Sequence, residues 1–160
     1  MAENHLKPER FIRLKWFGPF SYGPNGLGES TISHSGARKK QLKKFYMHGG
    51  LYIVIGDHPV HGSRSLLYVG ETNLFSRRLK DEHKWLSEEW RIEIYLTKLS
   101  GKKTRTDVEK LLIYAHSPSY NSQSIANPPN FKTHYRIWNE GRYWKLYPEI
   151  SSQHDWYLPY

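Results

Sequence analysis

Four side chains in the middle of the chain belong to residue types that can hydrolyse phosphodiesters: Tyr52, Tyr68, Arg78 and Glu109. The tyrosines stand in apolar, β-rich runs, and the arginine and glutamate stand in segments with helical spacing. A carboxylate can hold a Mg²⁺ ion whose shell is completed by water and phosphate oxygens. An arginine stabilises charge that develops on phosphate, and a phenol can relay a proton from the attacking water. If the fold brings these groups together, the chain has the parts of a nuclease.

Helical periodicity places one arginine against the body of the protein. At about 100° per residue, Arg78 lies about 60° from the apolar Phe75, whereas Arg77 points into solvent. Glu82 follows Arg78 by four residues, so the two can pair, and His83 is the next residue. We therefore take Arg78 as the catalytic arginine, with Arg77, Glu82 and His83 as auxiliary candidates.

The second helical segment places Glu109 at the border of an apolar stripe formed by Val108, Leu112 and Ala115. A half-buried glutamate needs a salt bridge or a metal ion, and Mg²⁺, or Mn²⁺ in its place, is the hard cation that fits. Considered one at a time, Glu109 would be an ordinary surface or salt-bridged residue, and Tyr52 and Tyr68 would be core aromatics.

The order of these residues resembles the GIY-YIG endonuclease family. Gly-Leu-Tyr at 50–52 stands at the first signature tripeptide, and Tyr-Val-Gly at 68–70 stands at the second. Arg78 follows the second tripeptide by eight residues, as the family arginine does. Glu109 and Asn121 match the family's metal-binding glutamate and terminal asparagine. The resemblance covers residues 50 to 121, and the ordered set is far more specific than either tripeptide.

The resemblance implies a fold, a chemistry and a role for each residue. The fold is α+β, an antiparallel three-stranded sheet flanked by helices, here with N- and C-terminal extensions. Tyr52 or Tyr68 would lie near the attacking water, Arg78 would bind the phosphate and Glu109 would bind Mg²⁺. Asn121 would organise the site, unless it is only a helix-exit cap.

The chain departs from the family pattern at two places. The spacer between the tripeptides, residues 53–67, is longer than usual and contains His58 and His61. A His-x-x-His pair can ligate a metal, but without cysteine or a third fixed ligand we interpret it as a turn that carries histidines. Glu82 stands where many members carry a histidine, and His83 is one position further on.

Length and patterning predict one domain with three zones. Residues 1–49 form an irregular basic and aromatic extension, 50–121 a nuclease core and 122–160 an aromatic extension. We expect strands at 51–55, 66–70, 92–96, 135–138 and 143–147. We expect two helices, one capped by Thr72 or Asn73 and running to about Leu86, the other capped by Thr104 or Thr106 and ending before Pro118.

The charge balance favours a polyanionic partner. The formal net charge is +9 and the isoelectric point is about 9.6. The densest basic cluster precedes the first core strand and is either a solvated helix face or an arm that follows phosphates. Candidate contacts to double-stranded DNA are Arg38, Lys39, Lys40, Lys43, Lys44 and Arg64.

Several other classes of protein are disfavoured. The chain has no cysteine, which excludes a disulfide scaffold, and its apolar runs are too short to cross a membrane. No signal peptide is visible, so we expect a cytoplasmic protein without a membrane partner. Residues 23–30 have the spacing of a phosphate-binding loop, but Glu29 replaces its lysine, so we expect no nucleotide cofactor.

The compact chain is most like the stand-alone restriction-type members of the family. We therefore expect a Mg²⁺-dependent DNA endonuclease that cuts both strands at a specific site, with a homodimer as a plausible way to supply two centres. Two alternatives remain: a nicking or branch-processing nuclease of repair, recombination or phage DNA, and a catalytically silent DNA-binding module.

Overall fold

The structure, a computed structural model, describes residues 7–23, 26–27, 36–78, 92–122 and 127–153 of the 160-residue chain. The strands in these ranges are β1 (Glu9–Gly23), β2 (Gly26–Leu27), β3 (Gly50–His58), β4 (Gly62–Thr72), β5 (Glu93–Lys98), β6 (His134–Gly141) and β7 (Glu149–Ser151). The helices are α1 (Gly36–Lys43), α2 (Phe75–Arg78) and α3 (Lys102–His116).

The strands form one mixed sheet in the order β4-β3-β5-β1-β6-β7, with β2 paired to β1. All neighbouring strands are antiparallel except β1 and β6, which run parallel from the pair Glu9–His134 to the pair Trp16–Gly141. Among the described residues, β4 therefore forms one edge of the sheet.

Apolar side chains cover both faces of the sheet. On one face, Leu51 and Ile53 of β3 belong to a core that includes Leu112 of α3. On the other face, Tyr52 of β3 packs in a second core with Phe75 of α2. Because both faces are covered, the run at 51–55 is apolar throughout instead of alternating.

The prediction that residues 1–49 are irregular is wrong, because β1 and α1 lie there. In β1, Ile12, Leu14 and Trp16 are buried, and the residues between them are exposed. This is the period-2 alternation of a strand with one face on the core.

β1 was not predicted from the sequence because a glycine and a proline lie in its middle. Gly18 and Pro19 are typical of a break, but β1 continues past them with a shift of register against β5 between Phe17 and Phe20. Such a bulge accommodates a proline, which has no N–H to donate to the ladder.

The predicted fold, an antiparallel three-stranded sheet flanked by helices, is also wrong. β3, β4 and β5 do pair antiparallel, but they are only one end of a seven-stranded mixed sheet. β1 joins this end to β6 and β7, since Ile12 and Leu14 share the core of Ile137. The partners come from opposite ends of the chain, so no local pattern signals the pairing.

The C-terminal zone contains one expected strand and one unexpected turn. The strand predicted at 135–138 is confirmed as part of β6. The strand predicted at 143–147 is wrong: Leu146 N–H bonds to the Tyr143 carbonyl at 2.9 Å, and Lys145 has a φ of 69°. The segment is a turn, and β7 follows it.

The start of α3 also differs from the prediction. The helix is preceded by Gly101, whose φ of 87° favours glycine, and neither Thr104 nor Thr106 caps it. Thr104 is buried and accepts a hydrogen bond from Arg10 Nη1 at 2.8 Å. The hydroxyl of Thr106 donates to the carbonyl of Lys102 inside the helix at 2.9 Å.

Candidate active site

The two tyrosines of the signature tripeptides project from the same face of neighbouring strands. Tyr52 of β3 lies opposite Gly70 of β4, and Val54 lies opposite Tyr68. The two phenol ring centroids are 5.9 Å apart. A Cβ on Gly70 would overlap the ring of Tyr52, so the glycine of the second tripeptide is what lets this ring lie across the edge strand.

Arg78 of α2 closes over both phenols. Its Nε donates to the hydroxyl oxygen of Tyr52 at 3.0 Å, and it also hydrogen-bonds to Tyr68. Burial lowers the pKa of Arg78, but the bonds to the phenols more than offset this, so the guanidinium stays charged. Burial raises the pKa of Tyr52 well above its ordinary value; Tyr68 adds to this shift and Arg78 opposes it.

Glu109 of α3 is half-buried beside this group. Burial, together with the charge of the neighbouring Glu71, raises the pKa of Glu109 to about 7. The backbone N–H of Glu71 and the charges of Arg78 and Lys110 act in the opposite direction. Tyr68, Arg78 and Glu109 thus all lie close enough to Tyr52 to affect its pKa.

Two residues beside Glu109, in the corner between β4 and α3, were not predicted from the sequence: Glu71 and Arg105. Arg105 is buried on α3, donates from Nε to the Glu71 carboxylate at 3.1 Å and from Nη1 to the Leu99 carbonyl at 3.4 Å. Sequence signals existed for both. Glu71 lies two residues after the buried Val69 along β4 and therefore shares its face of the sheet, and Arg105 precedes Glu109 by four residues on one helix face.

Asn121 forms hydrogen bonds to β4, the edge strand that carries Tyr68. Its Oδ1 accepts from the Val69 N–H and its Nδ2 donates to the Val69 carbonyl, both at 2.9 Å. The cap of α3 is Ser117, whose N–H bonds to the Ile113 carbonyl. Asn121 is therefore a buried clamp on β4, not the residue that ends the helix.

The corner offers two carboxylates to a cation, from Glu109 and Glu71. No cluster of three or more metal-ligating side chains occurs within the described ranges. Mg²⁺ is commonly held by one or two carboxylates, with water and substrate phosphate supplying the other ligands. A cation beside two neighbouring carboxylates would also offset the repulsion that raises the pKa of Glu109. The residues present therefore fit Mg²⁺ or Mn²⁺.

The structure describes only one of the three auxiliary candidates, Arg77. Arg77 is exposed, and its Nη2 donates to Asn73 Oδ1 at 2.7 Å. Glu82 and His83 lie outside the described residues, as does the predicted helix beyond Arg78.

The candidate DNA contacts fall into two groups. Lys40, Lys43 and Lys44 are exposed in α1 and the turn after it. Arg38 and Lys39 also belong to α1, but their side chains lie outside what the structure describes. Arg64 is far along the hairpin from the site, where it pairs with Glu93 at 3.2 Å and its guanidinium lies 5.2 Å from the Trp144 ring centroid.

The two histidines of the spacer form the expected turn. His58 Nδ1 accepts the backbone N–H groups of Val60 and His61, each at 3.1 Å. Nδ1 of His58 is thereby used to close the turn.

Comparison with protein-family models, with curated proteins and with solved structures finds no match for this chain. The resemblance to GIY-YIG endonucleases therefore stays a prediction that depends on the motifs and on the geometry above. In the described part of the chain, no helix has the length and apolar character needed to cross a membrane.

Proposed function

We propose that the chain is a Mg²⁺-dependent DNA endonuclease of the GIY-YIG type. The observation that carries this proposal is the convergence of two phenols, a guanidinium and a carboxylate at one edge of the sheet: Tyr52, Tyr68, Arg78 and Glu109. These are the groups that phosphodiester hydrolysis needs, and they come from four different elements, β3, β4, α2 and α3.

Arg78 is the group proposed to bind the scissile phosphate. Its Nε is engaged by Tyr52, which fixes the orientation of the guanidinium. The terminal nitrogens then face the phosphate oxygens, where negative charge develops as water attacks phosphorus. The fixed orientation matters because no reorganisation is needed at the moment of reaction.

The two phenols take different roles in this proposal. Tyr52 is 1 % exposed and accepts from Arg78, so it acts as a positioning residue for the guanidinium. Tyr68 is less buried, so it is the phenol that reaches the attacking water and relays the proton of that water to solvent. The water oxygen bonds to phosphorus, the bond from phosphorus to one sugar oxygen breaks, and that oxygen takes up a proton from solvent.

Glu109, with Glu71 beside it, would hold the Mg²⁺ ion. When bound, Mg²⁺ supplies a Lewis acid next to the phosphate oxygens. Glu109 must be ionised to bind the cation, and the charge of Arg78 supports the ionised form.

DNA is the proposed substrate because the chain carries a formal charge of +9 and exposes lysines on and after α1. The finer proposal is site-specific cleavage of both strands by a cytoplasmic restriction-type enzyme, acting as a homodimer. Nicking or branch-specific cleavage is the alternative enzyme activity, and silent DNA binding is the alternative without catalysis.

Plasmid cleavage tests the proposal. Purified protein is incubated with supercoiled and linear plasmid, modified and unmodified, in Mg²⁺ or EDTA, beside Glu109→Ala. Discrete bands that need Mg²⁺ and vanish in the variant are expected. Relaxed circles would support the nicking alternative. DNA binding without any cleavage would overturn the enzyme proposal in favour of the binding module.

A further inference from the structure

A cavity of about 340 Å³ adjoins the candidate active site on the side of the α3 N-terminus. It lies between the end of β4, the end of α2 and the first turn of α3. Four cationic side chains line it, together with the single carboxylate of Glu71: Arg77, Arg78, Lys102 and Arg105.

Within the described part of the chain, most cations of this cavity have no carboxylate partner. Glu71 pairs with Arg105, and Arg77 bonds only to the neutral amide of Asn73 among the described residues. Lys102 is exposed and forms no ion pair with any residue that the structure describes. The cavity is therefore a polar recess with excess positive charge, as an anion site requires.

Arg105 gives this recess a rigid wall. Its side chain is only 9 % exposed and is held by the Glu71 carboxylate and the Leu99 carbonyl. A guanidinium fixed in this way loses little conformational entropy when an anion arrives. Lys102 and Arg77, which are exposed, lie at the rim.

We propose that this cavity binds a backbone phosphate that flanks the scissile phosphate on the same DNA strand. The inference rests on the proposed function, because Arg78 belongs both to the cavity wall and to the catalytic group. A strand that places one phosphate on Arg78 has its next charge only about 3.4 Å further along the duplex axis. Lys102 and Arg77 are the contacts, and they fix the register of the strand without reading its bases.

The test is the salt dependence of duplex binding in EDTA, where no cleavage occurs. Wild type is compared with Lys102→Gln, Arg77→Gln and the control Lys103→Gln. Lys103 is the next residue along α3 and is equally cationic, but it pairs with Asp107 at 3.2 Å and does not line the cavity. Melting temperatures verify that each variant is folded.

Each cavity variant is expected to reduce the slope of log K against log salt by about 0.9, and the control to leave it unchanged. Slopes for Lys102→Gln and Arg77→Gln that equal the slope for Lys103→Gln would overturn the proposal, as would an absence of duplex binding by the wild type. A mononucleotide that competes as well as the duplex would show a free-phosphate site instead of a strand site.

Cleavage in Mg²⁺ separates this inference from the proposed function. If the protein cuts DNA but the cavity variants keep the wild-type slope, the endonuclease proposal stands and the cavity proposal fails. If the protein does not cut DNA but the slopes fall, the cavity binds backbone phosphate in a protein that is not a nuclease.

Discussion

Tyr52 and Tyr135 are both buried phenols with one charged partner, but the two partners have opposite charge. Tyr135 donates its hydroxyl hydrogen to Asp107 Oδ2 at 2.7 Å, and burial, with this bond, raises its pKa to about 12. Tyr52 accepts a hydrogen bond from Arg78 at 3.0 Å, so its own hydrogen is not needed for that contact. A carboxylate partner locks a phenol in its neutral form, whereas a guanidinium partner remains able to bind an anion.

The same contrast holds for the wider regions. Beside Tyr135, Asp107 also forms an ion pair with Lys103 at 3.2 Å, so this carboxylate has two partners within the fold. Beside Tyr52, Arg78 lines a cavity in which, among the described residues, four cationic side chains accompany one carboxylate. Asp107 therefore holds the fold together, whereas Arg78 borders a space that a ligand can enter.

A large difference is expected when the hydroxyl of each of these two phenols is removed in turn. Tyr52→Phe leaves Arg78 without its orienting oxygen, so the cleavage rate should fall by about 10²-fold or more. Tyr135→Phe should leave cleavage unchanged and lower the free energy of unfolding by about 1–2 kcal/mol, because Asp107 loses a hydrogen bond. Cleavage rates and urea denaturation of both variants measure this. Equal cleavage by the two variants would remove the functional distinction between the phenols.

Acid should weaken the structural region through His116. Its Nε2 accepts the Tyr147 N–H at 2.8 Å, so Nδ1 carries the hydrogen and donates to the Leu112 carbonyl at 2.8 Å. Burial lowers the pKa of His116 to about 4. The folded state therefore disfavours the proton that the unfolded chain takes up near its ordinary pKa of about 6.5.

Stability that is present above pH 6.5 should be lost as the pH falls towards 4, by roughly 2–3 kcal/mol for this one group. Urea denaturation from pH 7 to pH 4 measures the loss, and His116→Gln should reduce its pH dependence. A variant with the same pH profile as the wild type would show that other groups dominate.

The smallest expected effects come from two buried asparagines with matched bonding. Asn121 bonds twice to Val69, and Asn139 bonds to Trp16 Nε1 and to the Tyr147 carbonyl, both at 2.8 Å. Each alanine substitution should cost about 2 kcal/mol of stability, since each removes two hydrogen bonds. Only Asn121→Ala should also slow cleavage, about tenfold, because β4 carries Tyr68. Cleavage slowed equally by both variants would point to a general loss of folding.

The local elements of the site were predictable from sequence because their signals are local. Apolar runs indicated β3 and β4, and an alternation of residue types indicated β5. Helical spacing correctly separated the half-buried Arg78 from the exposed Arg77. The path of the chain around them was not predictable in the same way. β1 pairs with β6 from the other end of the chain, and such a pairing leaves no trace in either segment.

The missed site residues show a second limit of sequence reasoning. Glu71 lies between a signature glycine and a turn, where a charged residue is usually solvent-exposed, and Arg105 stands on an apolar helix face. Their burial became explicable only once β4 and α3 were packed together, since each charge is then satisfied by the other.

The central claim is that Glu109 serves chemistry, whereas Asp107, the other carboxylate of α3, serves the fold. The most direct test compares Glu109→Gln with Asp107→Asn, two residues apart on that helix, by single-turnover cleavage in Mg²⁺ and by urea denaturation. Glu109→Gln should lower cleavage by about 10²–10³-fold or more without loss of stability, because its carboxylate is already disfavoured by burial. Asp107→Asn should cleave at the wild-type rate with reduced stability. Wild-type cleavage by Glu109→Gln would contradict the account.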